Sequence, residues 1–359
     1  MSGFGQGVWG NSYGYGYNGP NGTTAQLGAA KEDLLDQIIN IDPFDTPWVS
    51  QAPKTTAKHV FHQWMTDTLG TAATTATAVE GDDWTYASGN GAPSRQFNIT
   101  NILRQDIGAT ETQRAIDTAG FADLYAYELQ KATKKLAIKL EKLVLSSVAT
   151  ATGTESTPRV MKTLQSFIAT NTAYAGTNSL GRIGGTAGAS ASGTAASAGL
   201  LTSGDFNDML MAIYVSGGNP EQVYVSPKVK RQISAFSIAG GSAETPMNRT
   251  IAASDKKLIS SIDFYDTDFG IIQIVLDRWV PEATNTSTAS NSALDVTGVA
   301  FFLQRSMNRL AWLRPMTHQF IGKRGDSVAG IVVGEVTLEV LNEKANGIIK
   351  SINNKSSAT

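Results

Sequence analysis

Apolar residues recur along the chain at two spacings, and each spacing predicts a different kind of element. The longest helical pattern covers residues 120–150 and contains no proline or internal glycine. We expect one helix of about 30 residues, about 45 Å long at ~1.5 Å per residue, lying across a sheet. Its apolar stripe consists of Leu129, Ala132, Leu136, Leu140, Leu143 and Ser147.

Two strand-like segments enclose a long irregular stretch before that helix. The first is Lys58–Leu69, and the second is Arg95–Gln105, in which Phe97, Ile99 and Leu103 share a face at even spacing. The residues between them are small, β-branched or glycine. An isolated hairpin is only marginally stable in water, so we expect a two-stranded tongue that lies on a neighbouring molecule.

The second half of the chain mixes helical and strand patterns. Ser203 or Asp205 is a candidate N-cap for one helix, and Pro227 suits the first turn of another. Residues 176–200 are rich in glycine, alanine and serine and predict a flexible loop. Strands on both sides of the long helix predict an α+β chain. The predicted strands are EQVYVSP, IIQIVLD, VAFFLQ and VVGEVTLEVLNE.

The last of these strands alternates strictly between apolar and polar residues. Val336, Leu338 and Val340 fall on one face and alternate with Glu335, Thr337 and Glu339. This alternation predicts a strand with one face exposed to water.

The N-terminal region has three segments of different character. Residues 1–24 alternate glycine with aromatic residues and predict a disordered arm, whereas Ala29–Asn40 predicts a short amphipathic helix. In Ile41–Ser50, two prolines favour extended geometry over helix. This stiff peptide presents Phe44 and Trp48 either to a neighbouring molecule or to its own subunit.

Composition excludes several classes of function. The 359 residues include 29 basic and 31 acidic side chains, which gives a net charge of −2 and argues against a dedicated nucleic-acid binder. Cysteine is absent, so thiolate chemistry, disulfides and cysteine metal clusters are excluded. The first ten residues lack the pattern of a signal peptide, and no apolar run approaches the ~18 residues of a membrane span. We expect a soluble, intracellular protein.

Short motifs give little support for catalysis. Gly5, Gly7 and Gly10 match a dinucleotide-binding fingerprint, but the flexible arm offers neither the strand nor the helix that this site requires. The same context excludes a nucleophile elbow at residues 10–14. Asp268-Phe269-Gly270 matches a kinase tripeptide without the accompanying catalytic loop, so we interpret it as a turn.

The candidate metal ligands are also poorly arranged. His59 and His62 have odd spacing, which places them on opposite faces of a strand. The aspartates lack the spacing of a calcium-binding loop, and we interpret them as solvated loop residues. No catalytic, cofactor-binding or metal-binding residue is therefore predicted. The aspartates considered are Asp82, Asp83, Asp263, Asp266 and Asp268.

Several stretches resemble the major capsid proteins of tailed bacteriophages. IDPFDTPWVS (41–50) followed by FHQWMTD (61–67) is similar to the start of one branch of this family, and VYVSPKVKRQISAF (223–236) is also similar. The strongest similarity lies in residues 322–347, GKRGDS followed by IVVGEVTLEVLNEKANG. The resemblance covers about residues 29–349. It implies the capsid fold that these phages share with encapsulins and herpesvirus shells.

The resemblance also implies a division of the chain into segments. These are an N-terminal arm (1–57), an extended E-loop (58–108), the spine helix of a peripheral domain (109–150), a mostly axial domain (151–294), return strands (295–349) and a C-terminal tail (350–359).

The function implied by the resemblance is structural rather than enzymatic. The chain would form pentamers and hexamers in an icosahedral virion head assembled in the host cytoplasm, with a separate scaffolding protein, a portal and weakly bound double-stranded DNA. No cofactor or membrane is expected, and the E-loop segment 71–94 contains no lysine for an isopeptide crosslink. An encapsulin-like compartment is the alternative, and an enzyme is less favoured. The candidate inter-subunit contacts are Phe44, Trp48, Trp64, Trp84 and Tyr86.

Overall fold

The fold was derived from a computed structural model. It describes residues 17–18, 24–25, 42–67, 80–81, 83, 93–116, 120, 123–175, 199–236, 263–284, 296–323 and 325–353. Within the N-terminal arm, the pairs 17–18 and 24–25 form a short antiparallel ladder. The helix predicted at Ala29–Asn40 and most of the loop predicted at 176–200 lie outside the described residues.

The described residues form fifteen strands and six α-helices. The strands are β1 (Tyr17–Asn18), β2 (Thr24–Ala25), β3 (Lys54–Thr56), β4 (Phe61–Thr66), β5 (Ser94–Ile99), β6 (Asn101–Thr110), β7 (Thr172–Tyr174), β8 (Gln222–Val225), β9 (Phe264–Thr267), β10 (Gly270–Leu276), β11 (Ala283–Thr284), β12 (Val296–Leu303), β13 (Asn308–Ile321), β14 (Ser327–Val340) and β15 (Gly347–Asn353). The helices are α1 (Pro47–Gln51), α2 (Glu111–Ala115), α3 (Leu124–Leu145), α4 (Leu164–Phe167), α5 (Ser203–Val215) and α6 (Pro227–Ala235).

The long helix α3 packs across a four-stranded sheet with strand order β3-β13-β14-β6. Its buried stripe includes Ala132, Leu136 and Leu140, which confirms the predicted face. This stripe shares one hydrophobic core with Leu103 of β6 and Val336 of β14. The helix therefore rests on the sheet as its spacing predicted.

The same helix is shorter than its pattern predicted. It has 22 residues, so it is about 33 Å long. It starts after Asp123, whose carboxylate accepts a hydrogen bond from the Tyr125 backbone N–H. It ends at Ser146, where the backbone turns extended, and the predicted stripe residue Ser147 lies beyond that end. The Ser146 hydroxyl donates to the Leu143 carbonyl at 2.8 Å and so competes with the helical hydrogen bonding, which favours the earlier stop.

A seven-stranded sheet forms the second layer, with strand order β7-β15-β12-β8-β10-β9 and β11 paired to β12. Successive residues of β12 point to opposite faces, so Phe301 belongs to the core beneath α3 while Phe302 packs in a second core with α5 and α6. Both faces are buried, which explains why residues 299–303, VAFFL, are all apolar. β15 continues to Asn353 and therefore includes residues 350–353 of the predicted C-terminal tail.

The caps of α5 and α6 follow simple local rules. Thr202, rather than Ser203 or Asp205, is the N-cap of α5, and it forms a capping box with Asp205. Gly217 adopts a positive φ of 90° just past the end of α5, as expected for a helix stop. Pro227 occupies the first turn of α6 behind the Ser226 cap.

The predicted tongue begins as an antiparallel hairpin of β4 and β5. The chain leaves this hairpin at Thr100 and continues as β6 within the four-stranded sheet. Phe97 is therefore exposed, while Ile99 and Leu103 are buried. Phe97 and Ile99 share one side of β5, but only Ile99, next to the hairpin root, is buried, and Leu103 lies beyond the change of sheet at Thr100; the three residues therefore do not form one uniform face.

The prediction of a wet face on β14 is also wrong. Glu335, Thr337 and Glu339 are buried, like the apolar residues with which they alternate. Their polar face is covered by the root of the β4–β5 hairpin, since Thr100 donates to Glu335 and Thr337 donates to the Ile99 carbonyl. Alternation indicated two distinct faces, but it did not show what lies on the polar one.

The proline-framed segment contains a short helix, contrary to the prediction of extended geometry. Pro47 occupies the first position of α1, where its missing N–H costs no helical hydrogen bond. Thr46 before it is non-helical, as expected for a residue preceding proline. No helix within the described residues is both long and apolar enough to cross a membrane.

Candidate functional site

The five predicted contact residues fall into three groups. Trp48 and Trp64 are only 3% and 9% exposed, so their rings pack inside their own subunit and leave little surface for a neighbour. Phe44 is 59% exposed. Trp84 and Tyr86 lie outside the described residues. The structure thus corrects the expectation for the two buried tryptophans and leaves Phe44 available on the surface.

Trp48 is buried because α1 docks against the spine helix. The Glu141 carboxyl of α3 accepts hydrogen bonds from the backbone N–H groups of Trp48 and Val49 at 2.8 and 2.7 Å. These N–H groups belong to the first turn of α1, where a helix has no internal partners for them. A side chain 93 positions along the chain therefore fixes this segment and places the indole in the core.

Phe44 lies over the solvent-facing side of the same helix. The Lys134 ammonium is 4.7 Å from the centre of its ring, which is the geometry of a cation–π contact. The ring is otherwise largely open to solvent. It is therefore held in place on its own subunit while it still offers apolar surface.

The largest group that sequence reasoning missed is the outer face of the β4–β5 hairpin. Phe61, Met65 and Phe97 are all exposed, and Met65 and Phe97 are 60% and 55% exposed. In the observed register, Phe61 pairs with Ile99, Gln63 with Phe97, and Met65 with Arg95, so these residues share one face. We call Phe61, Met65 and Phe97 the outer hairpin face. Period-two spacing along β4 places Phe61 and Met65 opposite the buried Trp64, and the pairing of Phe97 with Gln63 adds Phe97 to the same face.

The inner face of the hairpin holds it to the body of its own subunit. The Trp64 ring lies 6.0 Å from that of Phe167, between ring centres. The buried Asn98 amide donates to the Leu338 and Lys162 carbonyls at 2.7 and 3.1 Å, and its oxygen accepts from the Lys162 N–H at 2.7 Å. The expected docking on a neighbour therefore does not apply to the hairpin root, whose inner face is already used.

A buried ion cluster secures the same root. Glu335 accepts a hydrogen bond from Thr100 at 2.7 Å and contacts Arg159 and Arg314 at 2.8 and 3.0 Å. Burial alone would raise the pKa of the Glu335 carboxyl, but the Thr100 hydrogen bond and the two guanidinium groups outweigh burial and hold the pKa below its ordinary value. Glu335 is therefore ionised at neutral pH.

Two further exposed apolar regions lie on the sheets. Phe264 of β9 and Ile271 of β10 share a solvent-facing side at the edge of the seven-stranded sheet. Phe320 and Ile321 end β13 at the far end of the four-stranded sheet, where Phe320 stacks on Tyr125 with 5.4 Å between ring centres. Such groups of exposed rings mark candidate contact surfaces.

The described residues hold no group of three or more histidine, aspartate or glutamate side chains suited to a metal ion. His59 precedes β4, and its Nδ1 accepts from the Phe61 N–H, whereas His62 lies on the inner face with its Nε2 3.5 Å from Glu339. Asp263 forms an ion pair with Lys230 at 2.7 Å. These side chains have local structural partners.

Comparisons with known proteins agree on the family. A model of the SU10 major capsid protein family matches residues 15–353. The major capsid protein of Escherichia phage Phieco32 is 29% identical over 120 residues, which cover 33% of this chain and 34% of that protein. The matched region therefore spans about a third of the length of that relative.

Solved structures show the same fold at low identity. The capsid structure of cyanophage P-SCSP1u has a TM-score of 0.55 at 13% identity, covering 92% of this chain and 95% of that chain. The SrpI encapsulin of Synechococcus elongatus has a TM-score of 0.52 at 9% identity, covering 92% and 95%. These similarities confirm the α+β capsid fold shared by tailed phages and encapsulins. With the family match extending over nearly the whole sequence, this chain belongs to the SU10 major capsid protein family.

Proposed function

We propose that this chain is the major capsid protein of a tailed phage and that it self-assembles into the icosahedral head shell that encloses double-stranded DNA. The family match over residues 15–353 carries this proposal. The outer hairpin face supports it, because three large apolar side chains on one exposed hairpin face are typical of a surface that a partner covers.

The partner that we propose for this face is a second copy of the chain. A shell repeats one heterologous contact around closed rings, so each copy presents one surface and receives another. Burying each large apolar side chain contributes roughly 1.5–3 kcal/mol, and many such contacts must break together before a subunit leaves the shell. Phe44 is the second proposed contact, and Trp84 and Tyr86 are proposed as contacts from the sequence.

The remaining assignments follow from the resemblance. The four-stranded sheet with α3 corresponds to the peripheral domain, and the seven-stranded sheet corresponds to the axial domain. Pentamers and hexamers would assemble in the host cytoplasm with a separate scaffolding protein and a portal. A net charge of −2 suits weak, sequence-independent contact with DNA, since a strongly basic inner surface would retain phosphate. The mature location would be the virion, and the chain would have no enzymatic role.

An encapsulin-like protein compartment is the second candidate. The observation in its favour is that the SrpI encapsulin and the cyanophage capsid have nearly equal TM-scores against this chain, 0.52 and 0.55. The two functions differ in what the shell contains. Particles from the native source that hold nuclease-protected DNA would support the phage head, whereas particles filled with an enzyme would support the compartment.

Charged variants of the outer hairpin face test the assembly role. We expect Met65→Asp with Phe97→Asp to abolish shells seen by electron microscopy, because each carboxylate would be buried against an apolar partner. Unfolding of the subunit in urea should change little, since both positions are exposed. Met65→Leu with Phe97→Leu is the matched control and should assemble. Normal shells from the charged variant would refute a contact at this face.

A further inference from the structure

Two buried carboxyl groups meet where three segments of the chain converge. Glu141 lies in α3, Asp277 follows the last residue of β10, and both side chains are fully buried. The third segment, residues 42–53, contains α1 and contacts α3 directly. This segment joins residues 1–41 to the body of the subunit, so its attachment determines where the N-terminal arm begins.

The hydrogen bonds around the pair are unequal. Both Glu141 oxygens accept from the first turn of α1, at 2.8 Å from Trp48 N and 2.7 Å from Val49 N. Asp277 Oδ1 accepts from Trp279 N at 2.8 Å. Within the described residues, Asp277 Oδ2 is buried and has no N–H or O–H donor. The two carboxyl groups interact electrostatically as buried neighbours, and Trp279, whose N–H donates to Asp277, also lies against Lys142, the residue after Glu141.

No described cation neutralises the pair, because none of the ion pairs found in the described residues includes Glu141 or Asp277. Two basic residues of this region have other partners: Arg305 donates to the Gln51 carbonyl, and Lys142 lies 4.3 Å from the centre of the Trp279 ring. The charged and titratable groups around the pair are Tyr224 of β8, Arg305, Lys142, Arg278 and Asp45.

Two buried carboxylates without a cation cannot both be ionised at low cost. Burial raises the pKa of Glu141 to about 8, and repulsion from Asp277 adds to this, against the opposing hydrogen bonds from α1. Burial likewise raises the pKa of Asp277. One proton placed between Asp277 Oδ2 and Glu141 satisfies the buried oxygen without a donor and leaves Glu141 free to accept from α1.

We propose that Glu141 and Asp277 form a proton-controlled latch. With one proton shared between them, residues 42–53 are held against α3 and the end of β10, and loss of that proton releases the segment. The latch acts on the root of the N-terminal arm and does not depend on which shell the chain builds.

The direction of the pH dependence follows from proton counting. The closed latch holds one proton more than the open segment does, because solvated carboxyl groups ionise near pH 4. The latch is therefore strongest below about pH 4.5, weakens as the pH rises, and is fully weakened above about pH 8. Each pH unit within this window should raise the opening equilibrium by up to about tenfold.

Hydrogen exchange of the full-length protein, followed by mass spectrometry between pH 5.5 and pH 9, tests the latch. After correction for the intrinsic exchange rate, protection of peptides covering residues 47–53 should fall about a hundredfold or more from pH 5.5 to pH 8. Protection of the β8 peptide, residues 222–225, serves as the internal reference and should stay constant. A flat profile at residues 47–53 would overturn the proposal from the wild-type protein alone.

Asp277→Asn separates a proton switch from a merely structural contact. The amide donates to Glu141 without needing a shared proton, so protection should persist at pH 9 and the pH dependence should disappear. Retention of the wild-type slope in this variant would contradict the latch. If Asp277→Asn does not fold, Glu141→Gln gives the same test: it should abolish the slope at a lower overall protection, because glutamine offers one acceptor oxygen to two N–H donors.

Discussion

Asn98 shows how a single buried side chain can join distant parts of this chain. Its amide connects β5 to the Leu338 carbonyl of β14 and to both backbone groups of Lys162. The Glu335 carboxylate also joins distant parts of the chain, because it accepts a hydrogen bond from Thr100 and forms ion pairs with Arg159 and Arg314. Each polar atom has a partner, so these residues favour one arrangement of the hairpin root over others.

Asn98→Ala should lower the free energy of unfolding by about 3 kcal/mol. The substitution leaves the Leu338 carbonyl and the Lys162 backbone groups without their side-chain partner, and each buried group left unpaired costs ~1–3 kcal/mol. Urea unfolding measures the change. Gln96→Ala, on the same face of β5, is the matched control and should cost less than 1 kcal/mol; an equal loss in both variants would remove the special role of Asn98.

Trp48→Ala and Phe44→Ala should act on different properties of the protein. Trp48 lies in the core, so its truncation should destabilise the subunit by about 3–5 kcal/mol. Phe44 is largely exposed, so its truncation should leave unfolding almost unchanged and reduce shell yield. Unfolding and particle yield are measured on both variants. Equal destabilisation by the two changes would show that Phe44 also belongs to the core.

The two faces of the β4–β5 hairpin have different surroundings. Its inner face is fixed by Trp64 and Asn98 to its own subunit, while the outer hairpin face is left exposed. A rigid root is needed if a projecting segment is to make a contact in a defined place, because a freely moving segment would lose more conformational entropy on binding. The body of the subunit therefore preorganises the proposed contact.

Helix α5 should depend on its N-terminal cap. Thr202→Ala removes the hydroxyl that accepts from the Asp205 N–H, while the backbone N–H of residue 202 can still donate to Asp205, and it should lower the free energy of unfolding by about 1 kcal/mol. Thr202→Ser keeps the hydroxyl and should be nearly neutral. Thermal unfolding of the three proteins measures the difference. A serine variant as unstable as the alanine variant would show that the threonine methyl group, and not the cap, is responsible.

The sequence predicted these elements well where local rules decide them. The spacing of Leu136 and Leu140 identified the buried face of α3, and Gly217 marked the end of α5. Prediction failed where long-range partners decide the outcome. The sequence did not place Trp48 in the core because its anchor, Glu141, lies 93 residues away. The glutamates of β14 are predicted to lie in water because their partners come from other segments: Arg159 and Arg314 contact Glu335, and Thr55 and His62 contact Glu339.

The outer hairpin face was missed for a related reason. Large aromatic residues drew attention to Trp64, yet Trp64 is the inward-facing member of its strand. Once one residue of a strand is known to be buried, its neighbours at odd spacing face the other way. The sequence contained this alternation, but only the packing of Trp64 on Phe167 showed which of the two faces is covered.

At the scale of the whole molecule, two carboxyl systems respond to pH in opposite directions. The pKa of Glu335 is held low, so its contribution to stability is present above the ordinary value of 4.5 and is lost as acid protonates it. The Glu141–Asp277 pair is stabilising at low pH and weakens as pH rises. The subunit should therefore be most stable at intermediate pH. The hairpin root should loosen at acid pH, and residues 42–53 should loosen at alkaline pH.

The predicted loss of stability at acid pH can be tested with Glu335→Gln. At pH 7 this variant should unfold at lower urea concentration than the wild type, because Arg159 and Arg314 lose their shared counter-charge. At pH 3 the difference should be smaller, because below 4.5 the unfolded chain takes up a proton at this residue and the stability contributed by the ionised carboxylate falls. Glu155→Gln, in an exposed loop, is the control and should change neither midpoint. A gap between wild type and variant that is the same at both pH values would contradict the assignment.

We infer that copies of this chain build a closed shell through surfaces that the isolated subunit leaves exposed. Single-particle electron microscopy of the purified full-length protein tests it most directly. We predict closed icosahedral particles in which Phe61, Met65 and Phe97 of each subunit are covered by another copy. A protein that stays monomeric at high concentration, or particles in which these three side chains face solvent, would contradict the account.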